Sequence, residues 1–342
     1  MLSGMMAAGL AQEPLAPCDH PPRKVIVGTV VHPLWGPYPG VAERTAEMAK
    51  VIERVHAQAQ ERYGRSADIV ALPERALTAG RPGGALERAL PFEGAMRETF
   101  AALARKHRCY LVLAMDLLED RERGRAYNAL LLLDRDGEWK GTYRKVHLVY
   151  DEQTLVREDG MTPSWNVPVF ECDFGRLGLQ ICWDMEFDEG WEALRKQGAD
   201  LVIWSSMSPV TVMPRCRAAK NNYYIVSSQW RENATIFEPT GLIIAQVRSP
   251  EEVLAQEIDL SFAVIGWHPK LENGQAFTRA FDKRVGFRYS PEEDCGLFWS
   301  DDPALTIGAA MRQLGFEERR VYRSRIREQY RRFRREAGVL DE

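Results

Sequence analysis

The 342-residue chain has six cysteines, Cys18, Cys109, Cys172, Cys182, Cys216 and Cys295, and no CxxC pair among them. Neither a thiolate zinc site nor a disulfide framework is therefore indicated. Its six histidines show no HExxH or HxH spacing, which makes a metal hydrolase a poor reading. No GxSxG elbow, P-loop or GxGxxG fingerprint occurs, so serine-hydrolase, phosphate-loop and dinucleotide chemistry lose their usual signals. No apolar run approaches the roughly 20 residues that a membrane span needs. Charge is nearly balanced, with 45 Lys+Arg against 49 Asp+Glu and a net of −4. That balance gives no global reason to expect nucleic acid or an anionic membrane as partner.

What is present is an ordinary globular composition, 45 % hydrophobic and 27 % charged, with a regular grammar. Residues 1–23 are small, apolar and proline-rich, and read as a disordered leader of a cytoplasmic protein. A clipped or mis-started export signal is the alternative. Lys24 to Val31, Asp68 to Leu72 and Tyr110 to Met115 read as buried strands. Thr45, Met48, Ile52, Val55 and Ala59 share one face of a helix over Val41 to Tyr63. Asp136-Gly137 is a hairpin signal after a strand over Ala129 to Leu133, with a return strand from Glu138 to Tyr143. From Val167 to Leu260 the grammar repeats: strands at Val167 to Cys172, Leu177 to Ile181, Asp200 to Trp204 and Tyr224 to Ser228, with helices between. Buried strands alternating with amphipathic helices imply a layered α/β fold over residues 24–262, in two similar halves. Residues 263–342 break the pattern and read as an extension ending in an arginine-rich helix. Its stripe Tyr322, Ile326, Tyr330 and Phe333 needs a cover. A homo-oligomer, a dimer or higher, is the expectation, with this tail contributing to assembly or docked on the body, and the charge run makes an anionic partner the second reading.

Three ionisable residues end three of these strands: Glu74, Lys145 and Cys182. Ligands bind at the carboxyl ends of strands in open α/β sheets. A carboxylate, an ammonium and a thiol gathered there make an acyl-transfer set. Cys182 sits where a strand gives way to a helical period, so it stands on an elbow that can present a thiol to a cleft. Taken alone, each has a plainer reading, since most glutamates and lysines are solvated and a free cysteine is most often a buried structural one.

At these positions the sequence resembles the nitrilase, or carbon–nitrogen hydrolase, superfamily. The segments that carry the likeness are Leu72-Pro73-Glu74, Tyr143-Arg144-Lys145-Val146-His147-Leu148 and Ile181-Cys182-Trp183-Asp184. Arg217-Ala218-Ala219-Lys220-Asn221 resembles a fourth. Order and spacing agree from about Lys24 to Leu260. The resemblance implies a four-layer αββα sandwich with pseudo-twofold halves, and a Glu–Lys–Cys triad at Glu74, Lys145 and Cys182. It implies an oxyanion donor at the Trp183 backbone and a second glutamate after the lysine, ahead of a glycine. Glu152, upstream of Gly160, matches best, with Glu158 the rival.

The implied activity is hydrolysis of a linear amide or N-carbamoyl C–N bond through a Cys thioester, with no metal or organic cofactor. A true nitrilase is the alternative within that chemistry, and a catalytically inactive interaction protein is the alternative from another class. Cys109, Cys172 and Cys216 are expected to be buried or inert. Trp165, Trp204, Trp230 and Trp267 are expected in the core or a pocket wall, and His147 as a packing or hydrogen-bonding residue.

Overall fold

A computed structural model describes residues 16–150 and 157–339. The first half runs β1 (Lys24–Val30), α1 (Val41–Tyr63), β2 (Ile69–Ala71), α2 (Ala85–Arg88), α3 (Gly94–His107), β3 (Tyr110–Asp120), β4 (Arg125–Leu133) and β5 (Trp139–Arg144). The second runs β6 (Val169–Cys172), β7 (Gly175–Ile181), α4 (Asp188–Lys196), β8 (Leu201–Ser206), α5 (Val212–Asn221), β9 (Tyr224–Gln229), β10 (Asn233–Phe237), β11 (Ile243–Arg248) and β12 (Val253–Asp259).

Two six-stranded sheets result, ordered β12-β1-β2-β3-β4-β5 and β11-β10-β9-β8-β7-β6. In each, three parallel strands, β1-β2-β3 or β7-β8-β9, are flanked by antiparallel neighbours. The two halves thus share one topology, which is the pseudo-twofold that the repeated grammar implies. Val27, Ala71, Val112 and Leu130 of the first sheet pack against Leu179, Ile203 and Val226 of the second. On its outer face the first sheet is covered by α1 and α3 through Met48, Ile52, Val55, Met96 and Phe100. The second is covered around Trp191, Leu194 and Ala218 of α4 and α5. The layers are therefore α, β, β, α. Central parallel strands covered on both faces need near-continuous apolar runs, and β1, β2, β8 and β9 have them. α1 stops at Gly64, whose positive φ of 69° lets its N–H close on the Gln60 carbonyl. Gly178 on β7 leaves room for α4: a Cβ there would lie 2.8 Å from Leu194.

The remaining residues build β13 (Phe262–Gly266), α6 (Gln275–Phe281), β14 (Val285–Ser290), β15 (Cys295–Ser300), α7 (Ile307–Gln313) and α8 (Arg319–Glu336). The three strands form their own sheet, ordered β13-β15-β14. Its core of Phe277, Phe298, Ile307 and Phe316 takes in Cys18 from the lead-in. This region, which has little period in the sequence, is anchored to the body by polar contacts. Arg288 pairs with the fully buried Glu238 beyond β10. Lys24 bridges Asp259 and Asp301, and both cations lie over the Trp299 ring at 5.9 Å.

Burial drives the Glu238 carboxyl above its ordinary range, and the Arg288 guanidinium only partly offsets it. Arg288→Met is expected to cost roughly 1–3 kcal/mol, the lower end for a buried carboxylate losing its partner, because Arg288 is itself half-exposed. A carboxyl with a raised folded-state pKa favours folding in acid and loses that contribution as pH rises through it. The deficit of the variant, read by urea unfolding, should therefore be largest at neutral pH and narrow as the buffer is acidified. A deficit that grows in acid would contradict this account of the anchor.

Candidate active site

Glu74, Lys145 and Cys182 each stand just past a strand end, after β2, β5 and β7; the first two are shut away from solvent and Cys182 is partly buried. Glu74 is 2 % and Lys145 1 % exposed. Lys145 Nζ donates to Glu74 Oε1 at 3.2 Å and to Glu158 Oε1. Asn128 Nδ2 bridges the same two carboxylates, donating to Glu74 Oε1 at 2.8 Å and Glu158 Oε2 at 3.1 Å. The Met207 N–H closes the other Glu74 oxygen at 3.1 Å. The Lys145 backbone is fixed as well, its N–H on the Asn128 carbonyl at 2.9 Å. Burial disfavours the Lys145 ammonium; Glu74 and Glu158 outweigh that and push its pKa up. Burial likewise resists the Glu158 carboxylate, and Lys145, with Arg75 behind it, holds that carboxyl below its usual range.

The Cys182 thiol lies in the field of both Glu74 and Lys145 and takes hydrogen bonds from Ser206 and the Met207 backbone. Burial first, and Glu74 second, push it up to about 12, with Lys145 only partly opposing. It is therefore a neutral thiol until a base takes its proton. Its backbone has φ 39°, in the left-handed region that non-glycine residues seldom occupy. A 3-10 turn over Cys182–Glu186 follows, which is the elbow expected from the change of period. Trp183, in its first turn, is partly exposed and packs edge-on to Phe187 at 6.4 Å.

Asp184 holds this elbow in register with Lys145. Its buried carboxylate accepts from the Ile181 N–H at 3.1 Å, the Tyr143 hydroxyl at 2.7 Å and the His147 N–H at 2.8 Å. It also meets His147 Nδ1 at 3.0 Å. That hydrogen bond, against burial, raises the His147 pKa, and the ring stacks on Phe187 at 3.9 Å. One carboxylate thus ties the strand ahead of the thiol to both sides of the lysine. His147 has the packing and hydrogen-bonding place expected of it.

Of the other expected site residues, Glu152 lies outside the described residues; the carboxylate beside Lys145 is the rival, Glu158. The segment that carries it is held by Arg88, which reaches the Glu158 carbonyl, Asp159 and the buried Asp116. Asn128 and Asp184 are not among the expected site residues. Asp184 lies inside the Cys-Trp-Asp segment and stands out there as an acid in an apolar context, whereas Asn128 carries no such signal. Two expectations for bystanders need correction: Cys216 is exposed and not buried, and Trp165 is exposed, whereas Trp204 and Trp230 are buried and Trp267 lines a pocket beside α8. Trp230 contributes differently, donating from its indole N–H to the Glu74 carbonyl at 2.6 Å. Among the described residues no group of His, Cys, Asp and Glu is arranged to hold a metal ion.

The carbon-nitrogen hydrolase family model matches residues 34–264. Among curated relatives, the omega-amidase of Danio rerio is 24 % identical over 230 residues, covering 61 % of this chain and 82 % of that protein. The deaminated glutathione amidase of Synechocystis sp. is 25 % identical over 249 residues, covering 65 % and 88 %. Among solved structures, Saccharomyces cerevisiae Nit3, of the nitrilase superfamily, superposes with a TM-score of 0.58 at 22 % identity, covering 76 % of this chain and 94 % of that one. An amidase from Nesterenkonia sp. AN1, captured with acrylamide added to its active-site cysteine, superposes with a TM-score of 0.56 at 18 % identity, covering 68 % and 93 %. Two thirds of the chain fall within the family model, the layers match those of its solved members, and the chain belongs to the carbon–nitrogen hydrolase family.

Proposed function

We propose that the enzyme hydrolyses linear amide or N-carbamoyl C–N bonds through a Cys182 thioester, with Glu74 as general base and acid and Lys145 as the cationic donor. The observation that carries this reading is one buried ammonium shared by two carboxylates, with a neutral thiol in the same field. Glu74 takes the thiol proton as sulfur attacks the substrate carbon. The C=O electron pair moves onto oxygen, and Lys145 Nζ and the Trp183 N–H stabilise the oxyanion. Collapse of that intermediate breaks the C–N bond, and Glu74 returns its proton to the departing nitrogen. Water, deprotonated by Glu74, then cleaves the thioester and regenerates the thiol. Glu158 is the second carboxylate of this scheme, orienting Lys145 and accepting from a substrate N–H. The amidase names of two relatives agree with the substrate class. An intact set of three reacting groups speaks against a catalytically inactive interaction protein.

If Glu74 and Lys145 act as one unit, Glu74→Gln and Lys145→Met should each lower kcat by about 10²-fold or more. The double variant should then be little worse than either single one. Thermal denaturation separates this from loss of fold. Effects that multiply fully would mean that the two residues work independently.

The raised thiol pKa has its own readout. The ultraviolet thiolate signal that disappears in Cys182→Ser should be absent near neutrality and emerge only on the alkaline approach to about 12. Glu74→Gln removes the second of the two raising influences, so its thiol should titrate earlier than that of the wild type. For the same reason exposed Cys216, and not Cys182, should be alkylated first by iodoacetamide at neutral pH. A thiolate already present near neutrality in the wild type would remove the need for Glu74 as proton acceptor.

Amides should outrun nitriles. A carboxylate such as Glu158 accepts hydrogen bonds, which an amide NH₂ offers and a nitrile does not. A site built around that donor discriminates against an analogue lacking it. The measurement is kcat/KM for an amide and the nitrile of the same carbon skeleton, across several pairs. A consistent nitrile preference would replace the amidase reading with nitrilase and leave the three reacting groups in place.

A further inference from the structure

We propose that α8 is an interfacial helix that docks the enzyme on an anionic lipid surface. It carries nine arginines against two glutamates in 18 residues. That is +7 in a chain whose net charge is −4, leaving −11 on the rest. No residue of α8 is buried, and it is tied to the sheet of the extension at its first turn, where Arg319 donates to Cys295 Sγ of β15 at 2.9 Å.

The arginines are not equivalent. At about 100° per residue, Tyr322, Phe333, Ile326 and Tyr330 fall within roughly 80° of the helix circumference. Tyr322, Tyr330 and Phe333 are 49 %, 63 % and 57 % exposed. On the far face charge is locally neutralised: Arg320 pairs with Glu318, and Arg331 and Arg335 share Glu328. Directly beside the stripe, Arg323, Arg334 and Arg327 occupy the next 40° or so of arc. Among the described residues these three have no acidic partner. On the other side Gln329 and Glu336 come first, and Arg325 and Arg332 lie about 60–80° beyond Tyr322, each on one glutamate, Glu317 and Glu336.

An apolar stripe with three unpaired arginines along one flank, and paired arginines further round the other, matches a planar surface that offers an apolar layer beneath a sheet of phosphates. A single nucleic-acid strand would leave one flank unused. A second copy of α8 would set +7 against +7, and like charges disfavour that pairing. The remaining −11 of the chain would be repelled by such a surface, so contact is confined to the projecting helix. Global net charge, which gives no reason to expect this partner, averages the two regions away.

The test is flotation of the full chain with phosphatidylcholine vesicles, with and without one-third phosphatidylserine. Binding is expected only with phosphatidylserine, and it should fall with salt. Replacing Arg323, Arg327 and Arg334 together by Gln should weaken partition by roughly a hundredfold, given the contribution of each arginine near a charged surface. Tyr330→Ser with Phe333→Ser should weaken it as well, while Arg320, Arg331 and Arg335 replaced together by Gln should change it little. Circular dichroism melts confirm that the variants are folded. The proposal is overturned by any of four results: no vesicle binding, equal binding to phosphatidylcholine alone, equal losses from the two arginine triples, or a single-stranded oligonucleotide that binds more tightly and displaces the vesicles. An α8-dependent dimer in light scattering that hides the stripe would overturn it too.

Discussion

A positive charge buried between two carboxylates is the constraint on which this structure turns. An unpaired ion in a protein interior costs several kcal/mol, so Lys145, at 1 % exposure, ties its surroundings together. Glu74 must arrive from the end of β2 and Glu158 from the segment after β5. Asn128, on the strand between, donates to both and fixes their separation. Glu158 and Asp159 adopt φ of 40° and 58°. Such backbone carries a cost of order 1–3 kcal/mol per residue and persists only where the surroundings over-determine it. Arg88, gripping Asp116, Asp159 and the Glu158 carbonyl, supplies that over-determination.

The pseudo-twofold explains why a second fastening is needed. Glu74 and Lys145 belong to one sheet and Cys182 to the other, and apolar packing between sheets fixes a layer spacing better than it fixes a slide. Asp184 supplies directional contacts across the interface, taking one bond from its own sheet at Ile181 and three from around Lys145. Trp204 adds a bond to the Cys182 carbonyl at 3.2 Å. If Cys182 is the nucleophile, as proposed, its φ of 39° and its anchors on both flanks leave it preorganised, with little conformational freedom to be lost when substrate arrives.

What the sequence makes legible follows from how local the determinants are. The 3.6 period of α1 and the apolar runs of the central strands are local, and the elements fall where those patterns place them. The three strand-end residues are legible because each is written as a strand followed by a polar residue. Glu158 against Glu152 is not, because the choice depends on a segment turned by left-handed residues that carry no glycine at Glu158 or Asp159. Asn128 is silent because a polar residue on a mostly apolar strand looks like an edge position until its partners are known. The exposure of Trp165 belongs to tertiary packing, which composition cannot convey. The extension, with short strands and a core built from scattered phenylalanines, has too little period to announce its sheet.

In the proposed reaction the partly buried thiol calls for a carboxylate base beside it. That reaction starts from carboxylates at Glu74 and Glu158, an ammonium at Lys145 and a neutral thiol, four groups that together carry one net negative charge. Forming a thiolate by releasing a proton to water would add a second negative charge where solvent screens it poorly, and a thiol pushed up to about 12 expresses that cost. Passing the proton to Glu74 leaves the total unchanged and only moves the charge from oxygen to sulfur. Attack on substrate then moves it onward to the substrate oxygen, toward Lys145, which is freed from half of its pairing once Glu74 is neutral. The ammonium that Glu74 restrains in the resting enzyme therefore becomes available as the oxyanion forms. In the proposed reaction one proton transfer both arms the nucleophile and releases the donor.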